Sequence, residues 1–145
     1  MKLIIDIGNT AVKAALFEAK QLITSTVFND CTLQNILVFI GKQTISETII
    51  SSVKLVDSDL KQIIQYFDAH LLNESTLLPI TIDYETPSTL GKDRIAALVG
   101  ASFLFPNQDI LVLDSGTCLT IDFINKRKIY KGGRISLGIA MRYNA

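Results

Sequence analysis

The segments Leu3-Ile4-Ile5-Asp6-Ile7-Gly8-Asn9-Thr10 and Ile110-Leu111-Val112-Leu113-Asp114-Ser115-Gly116-Thr117 have the same organisation. In each, an apolar run typical of a buried strand ends in a turn that carries an acidic residue, a glycine and a threonine. A second strand-like run follows each turn, at residues 11–17 and 119–124. The repeated unit is strand, acidic-glycine-threonine turn, strand, and its recurrence predicts two related lobes.

Both turns have a composition suited to binding phosphate. Glycine lets the backbone approach a bulky anion closely, and backbone N–H groups and a threonine hydroxyl can then donate to phosphate oxygens. A carboxylate in the same turn can hold a metal ion, directly or through water, and that ion offsets the phosphate charge. One such turn is a common hairpin feature, whereas two turns after buried strands predict a clamp for a polyphosphate.

Composition places the chain among globular proteins. Its 145 residues are 48% hydrophobic and 19% charged, which is enough for one medium domain or two small lobes. The formal net charge is zero, so electrostatics gives no reason to expect nucleic acid or an anionic membrane as a partner. The longest apolar run, residues 36–40, is too short to cross a bilayer.

Cysteine and histidine usage narrows the chemistry further. Cys31 and Cys118 lie far apart without a C-x-x-C pattern, which is typical of free thiols in a reducing cytosol. His70 is the only histidine, so the sequence has no zinc ligand set, and a Ser-His-Asp triad would depend on this one residue. We therefore expect a cytoplasmic protein that uses neither of these two chemistries.

The spacing of apolar residues predicts alternating strands and helices. Besides the runs around the two turns, we expect strands at 21–28, 48–53 and 77–82 and helices at 32–40, 57–71 and 92–104. The basic cluster that begins at Lys126 is expected at a hairpin tip. We place the first lobe at residues 1–106 and the beginning of the second at 107–145.

The stretch Gly91-Lys92-Asp93-Arg94 begins the third helix with charges beside an otherwise apolar wall. The helix dipole favours a carboxylate such as Asp93 at this end, but it disfavours the Arg94 guanidinium. Arg94 must be matched by Asp93, another carboxylate or an anionic ligand, and the residues alone leave a ligand site and a structural ion pair equally open. Beside a bound phosphate donor, Asp93 is suited to accept the proton of an attacking hydroxyl, and Arg94 to bind an acidic acceptor.

Four motifs, in this order, resemble those of the type III pantothenate kinase family. They are Asp6-x-Gly8-Asn9-Thr10 with Lys13, Tyr84-x-x-Pro87-x-x-Leu90-Gly91-x-Asp93-Arg94, Asp114-x-Gly116-Thr117-x-x-Thr120-x-Asp122, and Gly132-Gly133-x-Ile135-x-x-Gly138. The resemblance implies the α/β fold of the acetate and sugar kinase/Hsp70/actin superfamily, with ribonuclease-H-like lobes built from a mixed sheet and flanking helices. Because family members continue beyond this point, we expect an N-terminal portion with an incomplete second lobe.

The resemblance also implies a reaction, in which ATP phosphorylates pantothenate on its terminal hydroxyl as the first step towards coenzyme A. It implies a homodimer, and it assigns Asp114 to a monovalent cation, K⁺ or NH₄⁺, and Thr117 to ATP. Asp6 would lie near Mg²⁺ or a similar divalent ion. Asp93 would be the base, among pantothenate contacts that comprise Tyr84, Gly91, Lys92, Asp93 and Arg94. The first phosphate loop would consist of Asp6, Ile7, Gly8, Asn9, Thr10, Ala11, Val12 and Lys13.

Two alternatives stay open. A kinase of the same fold could act on another small alcohol or acid, although Arg94 disfavours a neutral sugar. A non-catalytic accessory or regulatory protein is the other alternative, since relatives of the family have been described as accessory factors for transcription; the zero net charge disfavours direct contact with DNA. For the 145-residue chain itself we expect uncovered apolar sheet surface around residues 119–124, with dimerisation or aggregation as the consequence.

Overall fold

The computed structural model of the chain describes residues 1–86 and 89–144, so Pro87 of the second motif lies outside the described residues. By its contacts the chain divides into two compact units, Met1–Asn73 and Glu74–Ala145, here called the N-terminal and the C-terminal unit. Each unit consists of one mixed sheet with helices packed on it.

The N-terminal unit is built on a 5-stranded sheet with the order β3-β2-β1-β4-β5. β1 pairs with β2 and β2 with β3 in antiparallel fashion, whereas β4 runs parallel to β1 and to β5. The elements are, in chain order, β1 (Lys2–Ile7), β2 (Val12–Glu18), β3 (Gln21–Phe28), α1 (Leu33–Ile40), β4 (Glu47–Ser52), α2 (Ser58–Phe67) and β5 (His70–Leu71).

Buried and more exposed side chains alternate along β1, so one face of the strand packs into the core of this unit and the other does not. Leu3, Ile5 and Ile7 are buried against the apolar sides of α1 and α2, and burying each such side chain contributes about 1.5–3 kcal/mol. Because successive side chains of a strand point to opposite faces, Asp6 projects from the face opposite the core. The core therefore fixes the direction of this carboxylate.

Local sequence signals set most of the helix ends. Thr32 caps α1 by accepting a hydrogen bond from the Asn35 amide at 3.2 Å, and Asp57 caps α2 by accepting one from the Leu60 amide at 2.8 Å. The helix expected over 57–71 is too long, because Asp68 adopts a left-handed conformation (φ 47°) and ends it. The residues that follow, His70–Leu71, pair with β4 as a strand, and His70 is exposed.

The C-terminal unit contains a 4-stranded sheet with the order β6-β9-β8-β7. β7, β8 and β9 are antiparallel neighbours, and β6 runs parallel to β9. The strand expected over 77–82 is confined to two residues, whereas the helix expected over 92–104 is confirmed. The elements are β6 (Thr81–Ile82), α3 (Lys92–Leu104), β7 (Ile110–Ser115), β8 (Cys118–Ile124), β9 (Ile129–Leu137) and α4 (Ile139–Tyr143).

The core of the C-terminal unit lies between α3 and one face of its sheet. Ile95 and Leu98 of α3 are buried with Ile124 of β8 and Tyr130 of β9. The contact division therefore groups α3 with the strands that follow it, on which it packs. The lobe boundary that we expect after residue 106 stays a prediction.

Two further expectations are answered by the fold. The turn between β8 and β9 contains the first residues of the basic cluster, so the expected hairpin tip is confirmed. Apolar sheet surface is exposed, with Leu111 and Leu113 at 59% and Phe123 at 38%.

None of the helices in the described ranges has the length and apolarity needed to span a bilayer.

Candidate active site

The turn between β1 and β2 is closed by its own backbone. The Gly8 amide donates a hydrogen bond of 3.0 Å to the Ala11 carbonyl, and a Cβ on Gly8 would lie 3.2 Å from the same oxygen. Asn9 and Thr10 are exposed between them, whereas the neighbouring Ile7 and Val12 turn their side chains into the core. Of the predicted phosphate loop, Ile7 and Val12 can thus offer a ligand only backbone atoms.

Three polar residues lie side by side across the sheet next to this turn. Asp6 of β1 pairs in register with Lys13 of β2 on one side and with Ser51 of β4 on the other. Residues in register project from the same face, so an ammonium, a carboxylate and a hydroxyl form one row. Ser51 is buried, and its Oγ has no hydrogen-bond partner among the described residues. The sequence motifs include Asp6 and Lys13 but not Ser51.

The backbone of the turn between β7 and β8 contacts Gly138, which lies in the connection between β9 and α4. The Gly116 amide donates to the Cys118 carbonyl at 2.9 Å, and the Gly138 amide donates to the Thr117 carbonyl at 3.2 Å. A Cβ on Gly138 would overlap the carbonyl oxygens of Gly116 and Thr117. This close approach explains why the motif needs glycine at position 138.

Asp114 and Thr117 are both exposed at this turn. Within residues 1–86 and 89–144, no three His, Cys, Asp or Glu side chains cluster in a way that could hold a metal ion. Asp6 thus offers a single carboxylate, and proteins usually bind Mg²⁺ through one or two carboxylates and substrate phosphates.

The first turn of α3 holds Asp93 in a defined position. Its Oδ1 accepts a hydrogen bond of 2.9 Å from the backbone amide of Arg94. A Cβ on Gly91 would overlap that same oxygen. Gly91 thus provides the space for the Asp93 carboxylate, and Lys92 lies between them, half-buried.

Arg94 is paired with a carboxylate that lies 28 residues further along the chain. The side chain is 7% exposed and Asp122 of β8 is 2% exposed. Arg94 Nε donates to Asp122 Oδ2 at 3.0 Å, and Arg94 Nη2 donates to Asp122 Oδ1. Asp122 is therefore the "other carboxylate" that the sequence left open as a partner for the guanidinium.

Tyr130 of β9 completes this buried network. Its hydroxyl donates to Asp122 Oδ1 at 2.8 Å and accepts from Arg94 Nη2 at 2.8 Å. Its ring lies 5.8 Å from that of Tyr84, centroid to centroid. Tyr84 and Arg94, two of the residues predicted to contact pantothenate, therefore both lie next to Tyr130.

The network shifts the ionisation of two of its members. The hydrogen bond with Asp122 raises the pKa of the Arg94 guanidinium above its usual range, against the opposing effect of burial. Burial raises the pKa of the Tyr130 hydroxyl, and the hydrogen bond with Asp122 raises it further. Both groups therefore keep their protons over the physiological range, so Arg94 stays a cation and Tyr130 stays a donor.

Asp114 lies on the same face of the second sheet as this network. Val112 of β7 pairs in register with Asp122, and Asp114, two residues further along, pairs with Thr120. Because side chains alternate along a strand, the second turn begins one row of side chains beyond the Arg94–Asp122 pair. The sequence analysis assigns no role to Asp122 or Tyr130, although Asp122 closes the third motif and is the single acidic residue of β8.

Solved structures support the fold class. A crystal structure from Campylobacter jejuni, described as a Baf family transcriptional activator, is 27% identical over 95% of this chain and 55% of its own length, with a TM-score of 0.55. A Sinorhizobium meliloti protein described as a 2-dehydro-3-deoxygalactonokinase has a TM-score of 0.55 at 11% identity. An Aquifex aeolicus member of the Ppx/GppA family has 0.52 at 14% identity. These likenesses confirm the predicted sugar kinase-like, actin-like fold.

Curated relatives match the chain from end to end. A type III pantothenate kinase of Cytophaga hutchinsonii is 41% identical over 145 residues, which is 100% of this chain and 60% of the relative. One from Phocaeicola vulgatus is 37% identical over 147 residues and is covered to 61%. The chain thus spans about 60% of the length of these relatives. The family model described as type III pantothenate kinase matches residues 2–145, and the chain belongs to that family.

Proposed function

We propose that this chain is part of an enzyme that uses ATP to phosphorylate pantothenate to 4′-phosphopantothenate, the first step of coenzyme A biosynthesis. The observation that carries the proposal is the family match over residues 2–145. It is supported by the first turn of α3, where a glycine leaves space for one acidic side chain at a helix start.

Contacts with ATP are proposed within each unit separately, at the loop from Asp6 to Lys13 in the N-terminal unit and at Thr117 in the C-terminal unit. Asp6 and the Ser51 hydroxyl supply the oxygen ligands that a hard divalent cation prefers, and such an ion offsets phosphate charge when bound with ATP. Lys13 adds a positive charge in the same row. A monovalent cation, K⁺ or NH₄⁺, is proposed at Asp114.

The acceptor would bind at the start of α3. Asp93 is the proposed base, which accepts or orients the proton of the pantothenate hydroxyl. Tyr84, Gly91 and Lys92 are proposed to contact pantothenate, and the Lys92 ammonium is suited to its carboxylate. Arg94 lies in the same turn, with its guanidinium directed to Asp122.

The deciding experiment measures phosphorylation of pantothenate by the complete protein with Mg-ATP. We expect activity in the wild type and a loss of about 100-fold or more in kcat for Asp93→Asn, because general base catalysis contributes at least that much. Asp59→Asn is the matched control, since it also removes an acidic residue from the first turn of a helix. Near-normal turnover in Asp93→Asn would remove Asp93 from the base role.

A panel of other acceptors tests the alternative kinase. If pantothenate is inert and another small alcohol or acid is phosphorylated, the protein is a kinase of the same fold with a different substrate. We further propose a homodimer in the cytoplasm, which light scattering on the complete protein and cell fractionation would check.

A regulatory role is the second candidate. It is favoured by the likeness to the Campylobacter jejuni protein described as a transcriptional activator. Titration calorimetry on the complete protein separates the two, because an enzyme must bind Mg-ATP and pantothenate. Absence of both binding events would favour the regulator.

A further inference from the structure

Arg94 occupies a position that helix electrostatics disfavours. The N-terminal end of a helix carries partial positive charge, and a cation there is destabilised. The guanidinium is also buried, so leaving it without a charged partner would be strongly destabilising. Its hydrogen bonds with Asp122 and Tyr130 offset both the unfavourable helix dipole and the cost of burial. All three side chains are at least nine-tenths buried.

The hydrogen bonds of this network leave Asp122 and Tyr130 little freedom. One Asp122 oxygen receives the Tyr130 hydroxyl and Arg94 Nη2, and the other receives Arg94 Nε. The Tyr130 hydroxyl uses its single proton toward Asp122 and one lone pair toward Arg94. A planar guanidinium held in two directions by a carboxylate is fixed in orientation as well as in place.

Space for the network is provided by a glycine on the neighbouring strand. Gly133 of β9 lies in register with Asp122 of β8. A Cβ at this position would overlap Asp122 Oδ1 and lie 2.7 Å from Arg94 Nη2. The second glycine of the Gly132-Gly133 pair is thus needed because the Arg94–Asp122 pair passes close to the strand at this point.

We propose that Asp122 and Tyr130 are positioning residues, which hold the first turn of α3 to the sheet through Arg94 and thereby set the place of Asp93. The inference rests on the proposed function, because it concerns the base of that reaction. Asp93 binds the backbone amide of Arg94 at 2.9 Å, so a displaced Arg94 displaces the carboxylate with it. In this role Arg94 acts through its position, with Nε and Nη2 held by Asp122.

Tyr130→Phe in the complete protein is the test variant. It keeps the buried ring and removes only the hydroxyl, whereas Asp122→Asn would leave a buried guanidinium poorly matched and endanger folding. Ser102→Ala is the matched control. It removes another buried hydroxyl, bound to the Val99 carbonyl at 2.9 Å, from α3 itself.

Steady-state kinetics and amide hydrogen exchange together show whether Tyr130 positions Asp93, binds the substrate or only stabilises the fold. We expect Tyr130→Phe to lower kcat about tenfold with the pantothenate KM within about twofold, because a misplaced base affects the transition state more than substrate binding. We also expect faster amide hydrogen exchange in the first turn of α3, at Ile95 and Ala96, by about tenfold. Ser102→Ala should change neither.

Unchanged exchange in Tyr130→Phe would overturn the proposal. So would a raised KM with an unchanged kcat, which is the signature of a lost substrate contact. If the wild-type protein fails to phosphorylate pantothenate, the proposed function fails, and the exchange measurement still decides whether Asp122 and Tyr130 fix the turn.

Discussion

A single missing Cβ lets Asp93 turn its carboxylate back onto its own helix. Asp93 Oδ1 lies where a side chain on Gly91 would begin. The backbone at Gly91 has φ −56° and ψ 136°, which any residue adopts. Glycine is therefore needed here for space and not for backbone freedom, and the position of the proposed base depends on the residue two places before it.

Gly91→Ala should separate activity from stability at the residue scale. The new methyl group forces Asp93 to another rotamer, so we expect kcat for pantothenate to fall about tenfold or more. Stability should change little, because a flexible side chain gives way and not the backbone. Steady-state kinetics and thermal unfolding of the complete protein measure the two effects.

Gly100→Ala is the control for the same exchange within α3. A Cβ on Gly100 meets nothing within 4 Å, and alanine is the better helix former. We expect it to raise the free energy of unfolding by about 0.5–1 kcal/mol and to leave kcat unchanged. Equal kinetics for the two variants would show that the position of Asp93 does not depend on Gly91.

At the scale of elements, the start of α2 brings acidic side chains near the thiol just before α1. Asp57 is the N-cap of α2 and Asp59 lies in its first turn. Burial raises the pKa of Cys31 to about 11, and the charges of Asp57 and Asp59 contribute in the same direction. Lys54 opposes them, and the thiol stays protonated at neutral pH.

This pKa predicts a loss of stability at alkaline pH. The ordinary value for the unfolded chain is 9.0 and the folded value is about 11, so above pH 9 the unfolded state releases a proton that the folded state keeps. The contribution of Cys31 is fully present below pH 9 and is lost as the pH rises to about 11. Urea unfolding at a series of pH values measures it.

Cys31→Ala isolates the thiol from other groups that titrate in this range, among them Tyr130, whose raised pKa acts in the same sense. The difference in unfolding free energy between wild type and Cys31→Ala should shrink as the pH rises from 9 towards 11. A difference that stays constant would contradict a raised pKa at Cys31.

At the scale of the whole molecule, apolar surface is left on the second sheet. Leu111 and Leu113 of β7 alternate with residues that face α3, and they pair in register with Phe123 and Ile121 of β8. The four side chains therefore project from one face, where Leu111, Leu113 and Phe123 are exposed. A contiguous apolar patch of this kind drives association in water.

We expect the 145-residue chain to dimerise or aggregate, as measured by light scattering over a range of concentrations. Leu113→Glu should reduce that association, because a carboxylate in the patch opposes its burial. Its cost to stability should be small, since Leu113 is already exposed. A clean monomer of the unaltered chain at high concentration would contradict the expectation.

Sequence patterns were sufficient for the elements that carry the two turns. The apolar runs before Gly8 and Gly116 predicted the strands, and the spacing of apolar residues predicted helices over 32–40 and 57–71. The helix expected over 57–71 failed at its end, because the left-handed conformation of Asp68 and the pairing of His70–Leu71 with β4 are not encoded in apolar spacing.

The sequence by itself determined the fold class, the family and the residue types at both turns, since these follow from local pattern and from motif order. Only the tertiary structure decided what Arg94 pairs with, because Asp122 and Tyr130 reach it through strand register over separations of 28 and 36 residues. The same holds for Ser51, which comes beside Asp6 only when β4 pairs with β1. Alternation tells which face a side chain takes, whereas the folded sheet decides which residue lies next to it.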